Sequence, residues 1–179
     1  ILLVLAIQLT FAQKIDYNLV AEYQVQWQPD STNTNSKVTA ENYVLLAGKT
    51  KSIFISSNRL ALDTLIYNKS NTAGLEKLMA MPKPTSNKRI FKSNISKEIT
   101  VYDEISSTLF KFKEDVNLKW KLHNDTIHVK NIVLKKATTA FRGRDYIAWY
   151  NNKIASGDGP YKFNGLPGLI FKVYDTKKH

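Results

Sequence analysis

Two arginines around a glycine are the residues of this sequence best suited to bind an anion. Arg142 and Arg144 flank Gly143, and Asp145 follows them. On an extended strand the two guanidinium groups would lie on one face, where each could donate paired hydrogen bonds to a carboxylate or phosphate. Two interpretations remain open: a site for an anionic ligand, or structural ion pairs with carboxylates of the chain itself.

A group of lysines is the second candidate for binding. Residues 118–130 alternate apolar and basic side chains, and Asn124-Asp125 suits the centre of a two-residue hairpin turn. With the strand at residues 108–113, this register predicts a three-stranded sheet that buries Trp120 on its inner face. The outer face would carry the candidate binding residues Lys119, Lys121 and Lys130. Such a face could bind an anion, or its lysines could protect a sheet edge against aggregation.

Motifs for catalysis and for cofactors are missing from the sequence. It contains no G-x-S-x-G, H-E-x-x-H, P-loop or G-x-G-x-x-G pattern, and it has no cysteine. Of its three histidines, His123 and His128 would be diagonal neighbours on the lysine-rich face, where no third ligand is evident. We therefore predict no metal site and no cofactor, and the sequence identifies no catalytic residue.

The first residues have the pattern of an export signal. Residues 1–12 form an uncharged, mainly apolar run, which is too short to span a membrane because a spanning helix needs about 20 residues. Thr10 and Ala12 are the small residues expected before a cleavage site at Gln13. We predict that residues 1–12 are the remnant of a signal peptide, and the alternative is a buried N-terminal strand or helix. The mature chain is expected to carry no transmembrane span.

The net charge of +11 limits the classes of partner. In a cytosolic protein this charge would suggest nucleic acid. An exported chain meets other polyanions instead, such as phospholipid head groups and acidic glycans, and the charge could also serve solubility alone. We predict that the partner is not a nucleic acid.

The elements that must position these residues are predicted to be strands. In residues 17–27 apolar and polar side chains alternate, which is typical of a half-buried strand. Further strands are predicted at residues 43–46, 52–56, 89–93, 98–102 and 108–113, and a short helix at residues 72–81. We expect residues 13–179 to form one all-β domain, a mainly antiparallel meander in a curved sheet or half-barrel with at most one or two short helices.

The C-terminal third carries a distinctive motif, Gly165-Leu166-Pro167-Gly168-Leu169-Ile170. Upstream of it stand, in order, Lys136-Ala137, Gly143-Arg144, Ala148-Trp149-Tyr150 and Gly159-Pro160. Over residues 136–175 this pattern closely resembles the GLPGLI family. The resemblance implies an exported protein of Bacteroidota, built around antiparallel sheet, with no assigned biochemical activity. It also implies that the domain continues past His179, which would leave residues 169–174 as an uncovered edge strand.

Read without the family, the motif favours a turn that leads into a core strand. Pro167-Gly168 suits the centre of a type II turn, since the glycine accepts a positive φ. The residues after it alternate as in a buried strand, and Trp149 is also expected in the core. The motif offers no acid, base or nucleophile, and the alternative is a backbone loop that binds a ligand.

The sequence thus predicts an exported cell-envelope protein, located in the periplasm, at the outer membrane or outside the cell. We expect a non-catalytic binding or accessory module whose partner is an outer-membrane or envelope protein, or an anionic or amphipathic ligand. The alternative is an envelope hydrolase whose site is completed by residues beyond His179.

The export signal makes the first testable prediction. Mass spectrometry of the protein secreted by its native host should find Gln13 as the first residue, because cleavage follows the small residues at 10 and 12. A mature chain that retains residues 1–12 as an ordered part of a sheet would contradict the export hypothesis.

Overall fold

The structure, a computed structural model, describes residues 17–28, 36–67, 76 and 79–177. Within these ranges the strands form two antiparallel sheets. The six-stranded sheet follows chain order and contains β1 (Tyr17–Trp27), β2 (Thr39–Gly48), β3 (Lys51–Ser56), β4 (Arg89–Ser93), β5 (Glu98–Ile105) and β6 (Thr108–Asp115). The four-stranded sheet has the order β10-β9-β8-β7 and contains β7 (Lys121–Val129), β8 (Ile132–Phe141), β9 (Arg144–Asn151) and β10 (Leu169–Asp175). The predicted all-β, mainly antiparallel fold is confirmed, with the meander divided between two sheets.

The strands lie where apolar side chains alternate with polar ones. In β1, Leu19, Ala21, Tyr23 and Val25 are half-buried and pack against the core, whereas the residues between them are exposed. β3 lies inside the sheet and is buried at nearly every position. The strands predicted at residues 17–27, 43–46, 52–56, 89–93, 98–102 and 108–113 are confirmed.

A helix that is not among the predicted elements, α1 (Ser57–Tyr67), follows β3 directly. It begins after Ser56, whose hydroxyl oxygen accepts a hydrogen bond from the Arg59 backbone N–H at 3.3 Å. This is the role of an N-cap residue, which satisfies one of the free N–H groups of the first helical turn. The helix predicted at residues 72–81 lies mostly outside the described residues.

The predicted hairpin turn at Asn124-Asp125 is wrong. β7 runs through both residues as one strand, and a register shift there absorbs them. The chain turns instead at Lys130, which has a φ of +52°, and β7 pairs with β8. His123 and His128 are therefore not diagonal neighbours across a hairpin, because both lie on β7.

The predicted three-stranded sheet is wrong for the same reason. β6 pairs with β5 through a tight turn at Ser106-Ser107, whose φ values of 50° and 65° are those of a hairpin turn with left-handed residues. Lys121 lies opposite Thr138 of β8, whereas a turn at Asn124-Asp125 would have placed it opposite His128. Alternation along a strand defines its two faces but not its neighbours, which is why the faces were predictable and the pairing was not.

Two hydrophobic clusters form the core. The first covers one face of the six-stranded sheet, including Leu45, Phe54 and Ile99, and it also contains Leu169 at the start of β10. The second covers one face of the four-stranded sheet and contains Ala137, Ala148, Tyr150, Phe163, Leu166 and Ile170. Consecutive residues at the start of β10 thus pack into different clusters, which joins the two sheets.

The two tryptophans expected in the core, Trp120 and Trp149, are only half-buried. Trp120 packs beside the second cluster, and its indole N–H donates to the Asn164 carbonyl oxygen at 2.8 Å. Trp149 lies on the other face of the four-stranded sheet, opposite Lys136. The expectation of full burial is wrong because Trp120 lies at the border of the second cluster and Trp149 lies on the face that this cluster does not cover. The expected exposure of Lys119, Lys121 and Lys130 is confirmed.

A buried ion pair connects the six-stranded sheet to the segment before β10. The Lys92 ammonium of β4 contacts the Asp158 carboxylate, and the two side chains are only 2% and 4% exposed. Lys92 also donates to the Gly159 carbonyl oxygen, and Tyr23 of β1 donates to the Ile170 carbonyl oxygen at 2.7 Å. Burial lowers the pKa of Lys92, whereas the charge of Asp158 opposes that shift.

Because of Tyr23, the stability of the folded chain should change with pH in the alkaline range. Burial, and then the negative charge of Asp158, raise the pKa of Tyr23 above its ordinary value of about 10. Below pH 10 its contribution to stability is fully present. Above pH 10 the unfolded chain releases the Tyr23 proton while the folded chain keeps it, so the free energy of unfolding falls as pH rises toward the folded pKa.

We therefore expect Tyr23→Phe to cost about 1 kcal/mol at pH 7, from the lost hydrogen bond. Between pH 9.5 and 11.5 its free energy of unfolding should fall less steeply than that of the wild type. Urea denaturation across this range checks the difference, because the other tyrosines titrate equally in both proteins. Parallel pH curves would contradict the assignment.

Candidate ligand-binding groove

A groove of about 840 Å³ lies on the face of the six-stranded sheet opposite the first hydrophobic cluster. The register places Phe91, Arg89, Thr100 and Tyr102 together on this face, because Arg89 opposes Tyr102 and Phe91 opposes Thr100. The groove reaches Arg59 of α1 on one side, and Leu109 of β6 on the other. This concave surface is referred to as the groove.

An aromatic pair occupies the middle of the groove. Phe91 and Tyr102 are diagonal neighbours on β4 and β5, with ring centroids 5.5 Å apart and an interplanar angle of 81°. This edge-to-face geometry is the favourable one for two aromatic rings. Both side chains are half-buried, so each keeps part of its ring open to solvent. Lys111, opposite Tyr102 on β6, places its ammonium 5.6 Å from the tyrosine ring centroid.

Four charged side chains form the wall at the α1 side. Arg59 donates to Asp63 at 2.9 Å and to Glu104 at 3.1 Å. The Arg89 guanidinium donates two hydrogen bonds to the Asp63 carboxylate, of 2.9 Å and 2.8 Å. Two arginines and two carboxylates balance in charge, and the Arg59 side chain is only 12% exposed. A network with bidentate geometry and partial burial is held in place far better than isolated surface pairs.

The opposite end of the groove carries an exposed carboxylate. Glu98 accepts hydrogen bonds from the Lys113 ammonium at 3.1 Å and from the Thr100 hydroxyl at 3.3 Å. The hydrogen bond from Lys113 is the main cause that lowers the pKa of Glu98. Glu98 therefore acts as an ionised hydrogen-bond acceptor at neutral pH, not as a proton donor.

This arrangement can bind an amphipathic ligand. An apolar ring or chain would cover Phe91 and Tyr102, while donors and acceptors along both sides satisfy its polar groups. Hydroxyls of Ser93, Thr100 and Ser107 add further hydrogen-bonding groups along the lining. Among the residues that the structure describes, no three histidine, aspartate or glutamate side chains converge as a metal site would require. Over the same residues, no helix is long and apolar enough to cross a membrane.

The lysines predicted to bind do not form one site. Lys119 and Lys121 border a shallow cleft of about 330 Å³ together with Asp145 and Thr176. Lys130 stands at the turn between β7 and β8, at the other end of β7 from Lys121. Their role in binding stays a prediction, and the structure separates the third lysine from the first two.

The two arginines predicted to share a strand face do not share one. Arg142 lies in the turn between β8 and β9, with a φ of 49°, and pairs with Glu114 at 2.7 Å. Arg144 begins β9 and pairs with Asp175 of β10 at 2.7 Å. Each arginine therefore has its own carboxylate, as the structural interpretation expects, and the Arg142 side chain remains 59% exposed.

The hexapeptide at residues 165–170 works as a turn and a core segment. Gly168 donates to the Leu166 carbonyl oxygen at 2.8 Å, which closes a tight turn around Pro167 rather than the expected type II turn. Leu166, Leu169 and Ile170 are buried in the two clusters. At Gly168 a side chain is impossible without movement, because a Cβ would lie 2.1 Å from the Asn151 carbonyl oxygen.

The groove is the feature that sequence reasoning missed. Its charged wall joins Arg59 and Asp63 to Arg89 and Glu104, residues that lie far apart in the chain. A local signal existed for α1: Ser56 as N-cap, Leu60-Ala61-Leu62 as strong helix formers, and an Arg59–Asp63 pair at helical spacing. No local signal indicates that β5 would bring Tyr102 and Glu104 beside that helix.

Comparison with known proteins gives a family match over part of the chain. The model of a family described as a protein of unknown function, Porph_ging, matches residues 91–172. That range runs from β4 through the hexapeptide and includes the aromatic pair of the groove. No curated protein matches the sequence.

Two solved structures share the fold. Structures of PNGF-II in space groups C2 and P21 resemble this chain with TM-scores of 0.55 and 0.54, at 13% and 14% sequence identity. Each match covers 87% of this chain, but only 25% or 26% of the PNGF-II chain. This chain therefore spans about a quarter of the length of those structures, and the likeness concerns the fold alone.

The hexapeptide yields a prediction with a matched control. Gly168 and Gly143 both have positive φ, of 151° and 75°, but a Cβ at Gly143 would meet nothing within 4 Å. Gly143→Ala should therefore lower the free energy of unfolding by about 1 kcal/mol, from backbone strain alone. Gly168→Ala adds a clash with the β9 backbone and should cost roughly 3 kcal/mol or more. Thermal and urea unfolding of both variants measures the difference, and equal costs would refute the close approach.

Proposed function

We propose that this chain is an exported cell-envelope protein of the GLPGLI type whose groove binds an amphipathic ligand without catalysing its conversion. The family match of unknown function and the hexapeptide at residues 165–170 support the family assignment. The apolar run at residues 1–12 supports export. Binding, rather than chemistry, is the function that the composition of the groove supports.

The observation that carries the proposal is the open aromatic pair inside a concave surface that also carries arginines and carboxylates. Phe91 and Tyr102 expose parts of their rings within the groove, where an apolar group could displace water from them. The adjoining wall places equal numbers of arginines and carboxylates in mutual hydrogen bonds. A ligand with an apolar body and polar edges fits this surface.

The length of the groove gives the scale of the ligand. Glu98 and Glu104 stand at its two ends and are six residues apart on β5, which corresponds to about 20 Å at 3.3 Å per residue. A ligand that reaches both ends must be extended. One that covers only the aromatic pair needs a single ring or a short alkyl chain.

The fluorescent amphipathic probe 8-anilinonaphthalene-1-sulfonate tests the proposal. Tyr102→Ser should weaken its binding to the folded protein about tenfold, equivalent to about 1.4 kcal/mol, because half of the apolar platform is lost. Tyr67→Ser is the control, because Tyr67 is an aromatic residue that is 85% exposed and does not line the groove. Circular dichroism and thermal melting verify that both variants are folded.

Loss of binding in Tyr102→Ser with retention in Tyr67→Ser supports the groove as the site. Loss in Tyr67→Ser alone, or equal binding by all three proteins, would reject it. Turnover of a chromogenic ester or glycoside by the wild type, abolished by Tyr102→Ser, would reject the non-catalytic part of the proposal.

A further inference from the structure

β6 is an edge strand with an unusual surface. It is the last strand of the six-stranded sheet and pairs with β5 along its whole length, and no other strand of the described residues pairs with it. The backbone N–H and C=O groups on its outer side are therefore available to another extended chain. Its far end is anchored, because Glu114 pairs with Arg142 and Lys162. Residues 108–113 remain as the open part of the edge.

The two faces of this edge differ in character. Phe110 and Phe112 lie on the face of the first hydrophobic cluster, their rings stacked with centroids 6.5 Å apart, and each is 41% exposed. Ile105, at the end of β5 on the same face, is 54% exposed. Lys111 and Lys113 lie on the opposite face together with Leu109, which is 61% exposed. A contiguous exposed apolar patch rimmed by polar residues marks an interaction site.

From this edge we infer an interaction site: β6 takes up an extended segment of a partner protein as an added strand, and that segment alternates apolar and acidic residues. Its apolar side chains would cover Phe110 and Phe112, while its carboxylates would face Lys111 and Lys113. Backbone hydrogen bonds to an exposed edge provide affinity in this mode of recognition, and alternate side chains provide specificity.

The strand already paired with β6 shows how each face of β6 is met from the inner side. On the apolar face Val101 stands across from Phe112, and the next inward residue, Ile99, is fully buried, whereas Asp103 stands across from Phe110. On the other face Thr100 and Tyr102 stand across from the two lysines, and Glu98, a diagonal neighbour, receives the Lys113 ammonium. An apolar residue at Phe112 and a carboxylate near Lys113 thus already occur on the inner side, and a partner strand on the outer side of β6 meets the same two faces.

A second copy of this chain is disfavoured in two of the possible registers. If two β6 strands paired antiparallel about a two-fold axis centred on Lys111, that lysine would oppose its own copy. If the axis were centred on Phe112, Lys111 would oppose Lys113 of the other copy. Like charges directly opposite each other destabilise a sheet, whereas an acidic partner meets the lysines with opposite charge in every register that faces them. A register centred on Phe110 would place Lys111 opposite Leu109, and the sedimentation measurement below tests that self-pairing.

Synthetic peptides test the inference on the whole chain. An acetylated seven-residue peptide that alternates glutamate with isoleucine or valine should bind and should slow amide hydrogen exchange of the outward N–H groups in residues 108–113. A peptide with lysine in place of glutamate, and one with the same composition but no alternation, should not. Lys111→Glu/Lys113→Glu should weaken binding of the acidic peptide at least tenfold and should bind the lysine peptide instead.

A groove variant keeps this inference distinct from the proposed function. Phe91→Ser, which changes the groove on β4 and not beside β6, should leave the peptide affinity unchanged, whereas Phe112→Ser should reduce it. Equal binding of acidic and basic peptides, absence of exchange protection in β6, or loss of peptide binding in Phe91→Ser would overturn the inference. Sedimentation that shows a dimer of the chain alone, with β6 amides protected, would also overturn it in favour of self-pairing.

Discussion

The buried contact between Lys92 and Asp158 is the interaction on which the relation of the two sheets depends. Removing two charges from water is costly, and their attraction offsets that cost only where geometry and further hydrogen bonds are good. Here Asp158 Oδ1 also accepts from the Gly159 N–H at 2.7 Å, and the Asp158 backbone carbonyl accepts from the Ile170 N–H at 2.9 Å, while Oδ2 is buried without a hydrogen-bond partner among the described residues. One residue thus holds β4 with its side chain and the start of β10 with its main chain. A neutral residue at either position would leave the other charge buried without an opposite charge beside it.

The hexapeptide depends on this same junction. Gly165 donates to the Gly157 carbonyl oxygen at 2.7 Å, and the space at Gly159 is filled by the Ile170 side chain. Segments 157–159 and 165–170 therefore lie against each other through atoms that leave no room for larger residues. This explains why a motif without acids, bases or nucleophiles can still be distinctive: its glycines permit backbone contact, and its leucines and isoleucine enter two cores.

The sequence correctly predicted those features that depend on a single strand, such as which of its faces is buried. Alternation in β1 correctly indicated its half-buried face, and the exposure of Lys119 and Lys121 followed from the same rule. It was uninformative where partners come from distant strands, as in the pairing of β7 with β8 across an unpredicted bulge. The groove lies entirely in this second category, because Arg59, Phe91 and Tyr102 become neighbours only when the sheet is assembled. The arginines Arg142 and Arg144 were noticed for their chemistry, but the carboxylates that meet them stand 28 and 31 residues away in the chain.

The long sequence separation at the junction also bears on how the chain reaches this structure. Neighbouring strands of the six-stranded sheet are sequential, and several are joined by very short turns, so most of that sheet can form by closing small loops. The Tyr23 hydroxyl, in contrast, meets a carbonyl 147 residues later, and Lys92 meets one 67 residues later. Closing those long loops costs entropy, and the contacts of the junction offset this cost only when the meander has already formed. We therefore expect the junction to form late in folding. Until it forms, the inner face of the meander is exposed to water and to other chains.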